Sequence, residues 1–533
     1  MAVDFEAIKR AGINVDLDAV VRLGFDAIDP AMLYRLKTYG ICTQKAESRA
    51  FMLRVRIPYG ELTAIQLRTL ADLAEREGNG VLHLTTRQDV ELHNVTLERV
   101  PRTLAALAEA GLTTRSACGH TIRNVMACED SGLCADEVFD VTPWARAVSD
   151  HLVGRSRWLN DNLPRRLNIY FAACPECEHH ALVNDIGFVA RPAPEPSFEV
   201  YLGGSLGTSP FIAQRASELL PARHVVAACE AVAAVYIAHG ERKVPTRGRL
   251  KFLIEAWGWK KFESAFRAEL SNQLEAGVGE VSPPQPMQTE KPPAGMAGVQ
   301  ACLELAGTGG LLRQKQAGYL RVAVQVPLGD MSVAQAGLVA AAMERDGDGT
   351  CRVTRQQNLE IPFIPGERAP ELMVELNHGG LMPFESGSAP DVMACVGTTF
   401  CKLALTDAPN AAREASAAVA QAGELAAGVR IHISGCPNNC AQHSLADIGL
   451  QGGRVKGEEA YQLYLGGSRG GDTIRLASLI PGKLTAAEVG PTVTATLDSY
   501  RVHRRGTESF GDFYARVGAE VLSIYIRRRL ESP

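Results

Sequence analysis

Four cysteines in the last third of the chain have the residue type and spacing of a metal-binding set. Cys395 and Cys401 are separated by five residues, and Cys436 and Cys440 by three. Four thiolates from two short segments suit an iron–sulfur cluster or a tetrahedral zinc ion. The wider first pair favours the cluster, because structural zinc pairs usually stand two to four residues apart. Four unrelated buried thiols are the remaining alternative.

The segments that must position these cysteines belong to a duplicated unit. LRVRIPYGE (53–61) recurs as VAVQVPLGD (322–330), and TTRQDVEL (85–92) recurs as TRQQNLEI (354–361), both at an offset of 269 residues. CPECEHHALVNDIGF (174–188) recurs as CPNNCAQHSLADIGL (436–450) at an offset of 262. Repetition in the same order at two offsets indicates an internal repeat with a loop deletion.

Each copy shows the same succession of periodicities. FMLRVRIP alternates like a half-buried strand, and ELTAIQLRTLADLAERE has apolar residues at helical spacing; two further strand patterns and a helix follow. The second copy repeats this order from LRVAVQV to ERAPELMVELNHGG. The β-α-β-β-α order predicts an α/β (α+β) fold of two ferredoxin-like halves related by a pseudo-twofold, with further α/β layers after each half.

Composition excludes several classes of protein. The 533 residues are 46% hydrophobic and carry a net charge of -5, which does not suggest a nucleic-acid or anionic-membrane partner. The N-terminus lacks an export-signal pattern, and no apolar run is long enough to span a membrane. Thirteen cysteines in such a chain favour metal or redox chemistry over disulfides, so we expect a cytoplasmic protein.

The segment Ser-Gly-Cys-Pro-Asn-Asn-Cys (434–440), followed after six residues by Asp-Ile-Gly-Leu, resembles the signature of the sirohaem-containing nitrite and sulfite reductases. The preceding cysteine pair is similar to the first ligand pair of that family. The resemblance extends from Arg35 to about Gly518 and includes the duplication. It implies that Cys395, Cys401, Cys436 and Cys440 bind a [4Fe-4S] cluster, and that Cys440 also bridges to the iron of sirohaem.

The resemblance also divides the chain into expected domains. These are a ferredoxin-like half-domain (1–110), a first sirohaem reductase domain with basic substrate residues (111–277), a proline-rich linker (278–298), a second ferredoxin-like half-domain (299–383), and a cluster- and sirohaem-binding domain with the C-terminal tail (384–533).

Basic residues match the motifs that hold the substrate oxyanion in this family. Arg87 lies in Thr-Arg-Gln, Arg123 in Thr-Ile-Arg-Asn-Val, and Arg166 in Leu-Pro-Arg-Arg, where the family usually has a lysine in place of Arg166. Guanidinium groups bind oxyanions through paired hydrogen bonds. Asn168 occupies a position where nitrite reductases tend to have Asn and sulfite reductases Lys, and a monoanionic substrate needs less positive charge than dianionic sulfite. We therefore expect Arg87, Arg123, Arg166 and Asn168 to form a nitrite site.

A second basic stretch, RKVPTRGRLKFLIEAWG (242–258), resembles the segment that contacts the sirohaem carboxylates in this family. The resemblance implies Arg247, Arg249 and Lys251 as the contacts, although a solvated basic helix has the same composition.

The first copy contains five cysteines close together in sequence. They are Cys118, Cys128, Cys134, Cys174 and Cys177, and Glu178 stands at the position that corresponds to Cys440. The first half should therefore not carry the same centre. The five cysteines form either a second metal centre or, as is more common, a set of buried thiols.

The resemblance implies six-electron reduction of nitrite to ammonia, with a role in nitrogen assimilation. Electrons would come from a separate ferredoxin or flavoprotein, since no Gly-rich dinucleotide fingerprint follows a predicted strand. The main alternative is assimilatory reduction of sulfite to sulfide with the same cofactors. A corrin-pathway oxygenase of the same superfamily and a non-catalytic cofactor-binding subunit are further alternatives.

Overall fold

The computed structural model describes residues 3–154, 157–281, 296–307, 309–383, 391–468 and 474–531. Most of the predicted linker (278–298) lies outside these ranges. The described strands form four sheets, two of each kind, in the order expected for a duplicated chain.

The N-terminal region consists of three short helices followed by the first ferredoxin-like half. Its elements are α1 (Phe5–Arg10), α2 (Leu17–Leu23), α3 (Pro30–Thr38), β1 (Ile41–Thr43), β2 (Ala50–Val55), β3 (Glu61–Thr63), α4 (Ala64–Glu77), β4 (Val81–Leu84), β5 (Val90–Thr96) and α5 (Val100–Glu109). The strands and helices predicted from periodicity are present, but the helix predicted from Glu61 begins at Ala64, because residues 61–63 form β3, which pairs with a strand of the second half.

The next region carries a mixed sheet covered by helices. Its elements are β6 (Ile122–Ala127), α6 (Thr142–Gly154), α7 (Arg157–Asn162), β7 (Leu167–Ala172), α8 (Glu178–Ala181), β8 (Ile186–Arg191), β9 (Ser197–Leu202), β10 (Gln214–Arg215), β11 (Leu220–Pro221), α9 (Val225–His239), α10 (Leu250–Trp257) and α11 (Trp259–Glu275). Strands β6, β7 and β8 are parallel, and β9 runs antiparallel to β8.

The second ferredoxin-like half repeats the first. Its elements are α12 (Met296–Leu305), β12 (Leu311–Arg313), β13 (Tyr319–Gln325), β14 (Asp330–Ser332), α13 (Val333–Arg345), β15 (Thr350–Val353), β16 (Leu359–Pro365), α14 (Ala369–His378) and β17 (Met382–Pro383).

The last region repeats the mixed sheet. Its elements are β18 (Asp391–Ala394), α15 (Gly397–Phe400), α16 (Ala408–Ala422), β19 (Arg430–Ser434), β20 (Ile448–Val455), β21 (Glu458–Leu465), β22 (Ser478–Leu479), β23 (Leu484–Thr485), α17 (Val489–His503), α18 (Phe510–Val517) and α19 (Ala519–Glu531). Strands β18, β19 and β20 are parallel and β21 is antiparallel, so they correspond to β6, β7, β8 and β9. None of the described helices is long and apolar enough to cross a lipid bilayer.

The two ferredoxin-like halves exchange one short strand each. Strand β14 pairs with β4 of the first half, with Met331 opposite Leu82, and β3 pairs with β15 of the second half, with Leu62 opposite Cys351. These four side chains are fully buried in a single hydrophobic core that draws residues from both halves. The halves are therefore one folding unit.

The helices that follow the exchanged strands start in the same way. Thr63 and Ser332 each accept a hydrogen bond from the backbone N–H of a glutamine three residues later, and that glutamine side chain accepts from the capping residue's own N–H. This capping box satisfies N–H groups that a helix end leaves unpaired. Since α4 packs against α13, the caps fix the ends of two helices that face each other across the pseudo-twofold.

A tight turn at Gly60 of the first ferredoxin-like half lies against the second half. Gly60 has φ +81°, and a Cβ atom there would lie 2.6 Å from the carbonyl oxygen of Val353 and 2.8 Å from the Nε2 of Gln88. The Gln88 side chain in turn donates to the carbonyl of Ala127 at 3.0 Å and accepts from its N–H at 3.2 Å. The turn at Gly60 therefore contacts the second ferredoxin-like half directly and, through Gln88, is connected to the end of β6.

We predict that Gly60→Ala destabilises the protein by about 3 kcal/mol, because a left-handed backbone penalty is added to a clash with backbone. Gly80→Ala is the matched control: Gly80 has φ +76° but open space around its Cβ position, so it should lose only about 1 kcal/mol. Urea unfolding of both variants measures the difference. Equal losses of unfolding free energy in the two variants would show that the close approach at Gly60 does not add to the destabilisation.

Candidate active site

The four cysteines of the second half lie at the carboxyl ends of two adjacent parallel strands. Cys395 directly follows β18, and Cys436 lies two residues beyond β19. The backbone N–H of Gly435 donates to the Cys395 Sγ at 3.1 Å, which joins the two loops. Burial raises the pKa of the Cys440 thiol, and the thiols of Cys395, Cys436 and Cys401 raise it further. The four thiols are therefore close enough to interact.

The spacing of these sulfur atoms distinguishes a cluster from a single ion. A tetrahedral zinc ion with bonds of about 2.3 Å holds its sulfur ligands about 3.8 Å apart. Within the described residues, no three of the four sulfurs lie within 4.8 Å of one another. Thiolates that each bind a different iron of one cluster need this wider spacing. The cluster interpretation thus fits the geometry better than zinc does.

Cys440 connects this loop to the first half of the chain. Its carbonyl oxygen accepts a hydrogen bond from the Thr86 Oγ1 at 2.9 Å. Its side chain is exposed, yet burial raises the pKa of its thiol, so the sulfur faces an internal recess. The charge of Arg166 acts on the same thiol. A thiolate that opens into a recess beside a basic group fits a cofactor held between the halves.

The three predicted substrate arginines come from different segments of the first half and interact electrostatically with one another. Arg87 follows β4 and donates to the carbonyl of Asn124 at 3.1 Å. Arg123 on β6 donates to the carbonyls of Ala117 at 2.7 Å and Gly119 at 3.2 Å. The Nε atoms of both Arg87 and Arg123 are buried without a partner. These fixed guanidinium groups thus retain unused donors.

The arginines stand close enough to repel one another. The charge of Arg249 and then burial lower the pKa of Arg166 well below its ordinary value, and Arg123 and Arg87 lower it further. Burial lowers the pKa of Arg87 to about 9. No hydrogen bond or ion pair within the described residues holds the Arg166 guanidinium. A bound anion would relieve this repulsion, so the arrangement suits an oxyanion.

Asp89 offsets part of the charge of Arg87 and Arg123, and a second carboxylate, Asp185, offsets part of the charge of Arg166. Asp185 is fully buried and accepts from the Nη2 of Arg249 at 2.9 and 3.0 Å and from the backbone N–H of Asn168 at 2.8 Å. The side-chain oxygen of Asn168 is buried without a partner. In the second half Asp447 accepts from Arg430 in the corresponding place. Asp185 was not identified from the sequence, although it lies in the repeated Asp-Ile-Gly segment.

The three residues predicted to contact sirohaem carboxylates are in different environments. Arg249 is bound to Asp185, and Lys251 is buried, donates to the carbonyl of Ser209 and has its pKa lowered to about 8 by burial and by Arg249. Arg247 is exposed and forms an ion pair with Glu255 at 2.6 Å. Their contacts with the cofactor stay predictions.

Two further pairs of residues adjoin the arginines, and the contact within each pair has no sequence signal. The thiols of Cys42 and Cys118 hydrogen-bond each other, which lowers the pKa of Cys118 and raises that of Cys42. Cys118 therefore stands apart from the other first-half cysteines. The Nη1 of Arg165 lies 3.0 Å from the Nε2 of His120, and because arginine can only donate, this histidine nitrogen accepts.

Two family models match the chain, and each of them matches twice. The model described as "Nitrite and sulphite reductase 4Fe-4S domain" matches residues 118–274 and 388–533. The model described as "Nitrite/Sulfite reductase ferredoxin-like half domain" matches residues 43–110 and 312–378. The predicted duplication and the ferredoxin-like halves are confirmed.

Whole-chain relatives carry two different names. A sulfite reductase (ferredoxin) of Mycobacterium tuberculosis is 30% identical over 96% of this chain and 94% of its own. A ferredoxin–nitrite reductase of Leptolyngbya laminosa is 33% identical over 87% of this chain and 91% of its own. The solved structure of the Mycobacterium tuberculosis NirA protein superposes with a TM-score of 0.81 at 28% identity, covering 98% of this chain and 97% of that one.

We predict that His120 makes stability depend on pH. Burial and then the charges of Lys9, Arg165 and Arg123 lower the pKa of His120 to about 2, whereas an unfolded histidine titrates near about 6.5. Its contribution is thus complete above about pH 6.5 and is lost as the pH falls towards the folded pKa, by up to about 1.4 kcal/mol per pH unit. His120→Gln should flatten the acid limb of stability measured by urea unfolding.

The control for this prediction is His378→Gln, since His378 is exposed at the end of α14. The control should keep the wild-type pH dependence. Parallel acid limbs for wild type and His120→Gln would contradict the prediction.

Proposed function

Because the chain belongs to the nitrite and sulfite reductase family and is an oxidoreductase with a [4Fe-4S] cluster and sirohaem, we propose that it reduces nitrite to ammonia in the cytoplasm with electrons from ferredoxin. The balanced reaction takes nitrite, six electrons and eight protons to ammonium and two waters. The bound cofactors supply the electron transfer. The chain supplies the cluster thiolates of Cys395, Cys401, Cys436 and Cys440 and the groups that hold the anion.

The substrate choice rests on one observation, the neutral Asn168 beside Asp185. The Arg87, Arg123 and Arg166 guanidinium groups supply positive charge, whereas Asp185 removes part of it. Since a lysine at position 168 would add a further charge, its replacement by asparagine suits a monoanion. Nitrite is a monoanion, and sulfite carries more negative charge.

Arg87 and Arg123 are assigned to anion binding because each has a buried N–H group without a partner. Buried N–H groups of Arg87 and Arg123 already stand in place, so binding an oxyanion costs little reorganisation. Among the residues that the structure describes, no side chain holds the guanidinium of Arg166, so its donors are available to the substrate. Positive charge at this point also offsets the negative charge that accumulates as electrons arrive.

Reduction of sulfite to sulfide is the second candidate. It is favoured by the name of two relatives that match 96% and 97% of the chain, sulfite reductase (ferredoxin), although an assimilatory ferredoxin-dependent nitrite reductase also matches 96% of it. The same thiolates and arginines would serve it. Steady-state rates with nitrite and with sulfite, under reduced methyl viologen and then under reduced ferredoxin, decide between the two. A larger kcat/KM for sulfite would overturn the nitrite assignment.

We predict that Asn168→Lys shifts the preference towards sulfite by about tenfold or more in the ratio of the two kcat/KM values, since one charged hydrogen bond is worth roughly 1.5–3 kcal/mol. Asn168→Met is the matched control, because it adds the length of a lysine without the charge. An unchanged ratio in Asn168→Lys would show that this position does not select the substrate.

We also predict that Cys440→Ser abolishes nitrite reduction, with a loss greater than the roughly 100-fold that removal of an outer-shell partner costs. Cys302→Ser serves as the control, since Cys302 lies on α12 outside the site. The visible spectrum and the iron content report whether the cofactors remain. Wild-type turnover in Cys440→Ser would exclude a role for this thiolate.

A further inference from the structure

The first half carries its own set of cysteines at the place that corresponds to the cluster loops. Cys128 directly follows β6, as Cys395 follows β18, and Cys174 lies two residues beyond β7, as Cys436 lies beyond β19. Cys134 is separated from Cys128 by five residues, as in the second half. The second pair is shorter, because Cys177 follows Cys174 after two residues instead of three.

Three sulfur atoms of this first-half set lie closer together than any three sulfur atoms of the second-half set. The Sγ of Cys174 lies 3.4 Å from that of Cys177 and 4.0 Å from that of Cys128. All three sulfurs lie within 4.8 Å of one another; the Cys134 sulfur lies outside this group, but close enough to Cys174 for the two thiols to interact. These separations match the roughly 3.8 Å between sulfur ligands of a tetrahedral ion with bonds of about 2.3 Å.

We propose that Cys128, Cys134, Cys174 and Cys177 bind a single structural zinc ion. Binding takes one Zn²⁺ and four thiols to a zinc tetrathiolate with release of four protons. A cubane cluster would need the wider spacing of the second-half cysteines. A disulfide between Cys174 and Cys177 would require an S–S distance of about 2.05 Å and would leave two thiols without a role.

The surroundings are arranged for thiolate ligands. Backbone N–H groups of Asp136 and Cys174 donate to the sulfurs of Cys134 and Cys177, at 3.4 and 3.5 Å. Such hydrogen bonds orient metal ligands and stabilise their charge. Arg355 interacts electrostatically with Cys177 and has one guanidinium nitrogen, Nη1, buried without a partner. Because Arg355 also forms an ion pair with Glu129 at 2.8 Å, it offsets only part of the negative charge of a zinc tetrathiolate.

The proposed zinc ion would hold two strands of the first half in place. It would tie the carboxyl ends of β6 and β7, the two parallel strands that carry Arg123 and Asn168. Three of the four ligands are buried and Cys134 is partly exposed, which leaves one side open for the metal to enter. Zinc would thus hold the substrate residues in register without taking part in the reaction.

Metal analysis of the anaerobically purified holoenzyme tests the proposal independently of the substrate. We expect about one zinc per chain that resists EDTA, and zinc K-edge absorption should show a shell of sulfur at about 2.3 Å. Cys134→Ser and Cys177→Ser should lose the zinc, while iron content and the sirohaem absorption stay at the wild-type level. Cys302→Ser is the control and should keep all three.

Three results would overturn the proposal. One is an iron content that exceeds one cluster plus one sirohaem, with no zinc. Another is a protein without zinc whose intact mass is two hydrogen atoms lower than expected, which indicates a disulfide. The third is zinc that both variants retain, or that has no sulfur shell in the wild type. Because the absorption measurement uses the wild type, it decides the question even if the variants do not fold.

Discussion

The structure depends on holding several arginines close together in a buried place against their mutual repulsion. Arg87, Arg123, Arg166 and Arg249 outnumber the two buried carboxylates that face them, Asp89 beside Arg87 and Arg123 and Asp185 beside Arg166 and Arg249. Such a group of like charges costs free energy in the folded protein unless an anion joins it. The fold must therefore supply rigidity from elsewhere, and it does so from strands whose ends carry these residues.

The exchange of β3 and β14 supplies much of that rigidity. Each half-sheet is completed by a strand from the other half, and the shared core cannot be separated into two without exposing apolar side chains such as Met331 and Leu82. The Gln88 side chain then connects the first half-sheet to the end of β6. Through this connection, the strand that holds Arg123 is fixed relative to the turn that holds Arg87.

Much of this organisation could be predicted from the sequence. The periodic segments around α4 and α13 and the cysteine spacing all depend on local residue order. Long-range features could not be predicted. Strands β3 and β14 have three residues each, too few for a periodic pattern, and the contact of Cys42 with Cys118 joins distant segments. Likewise, the sulfur spacings of the two cysteine sets depend on loop geometry, which similar sequences do not reveal.

The strand exchange also has a consequence for the order in which the protein matures. During synthesis on the ribosome, the first ferredoxin-like half emerges long before residues 330–332 and 350–353, so the edges of β4 and β3 have no partner until then. The hydrogen bond from Thr86 to Cys440 requires still later residues. The recess between the halves therefore closes only when nearly the whole polypeptide has been made, and cofactor insertion is a late step that acts on a finished chain.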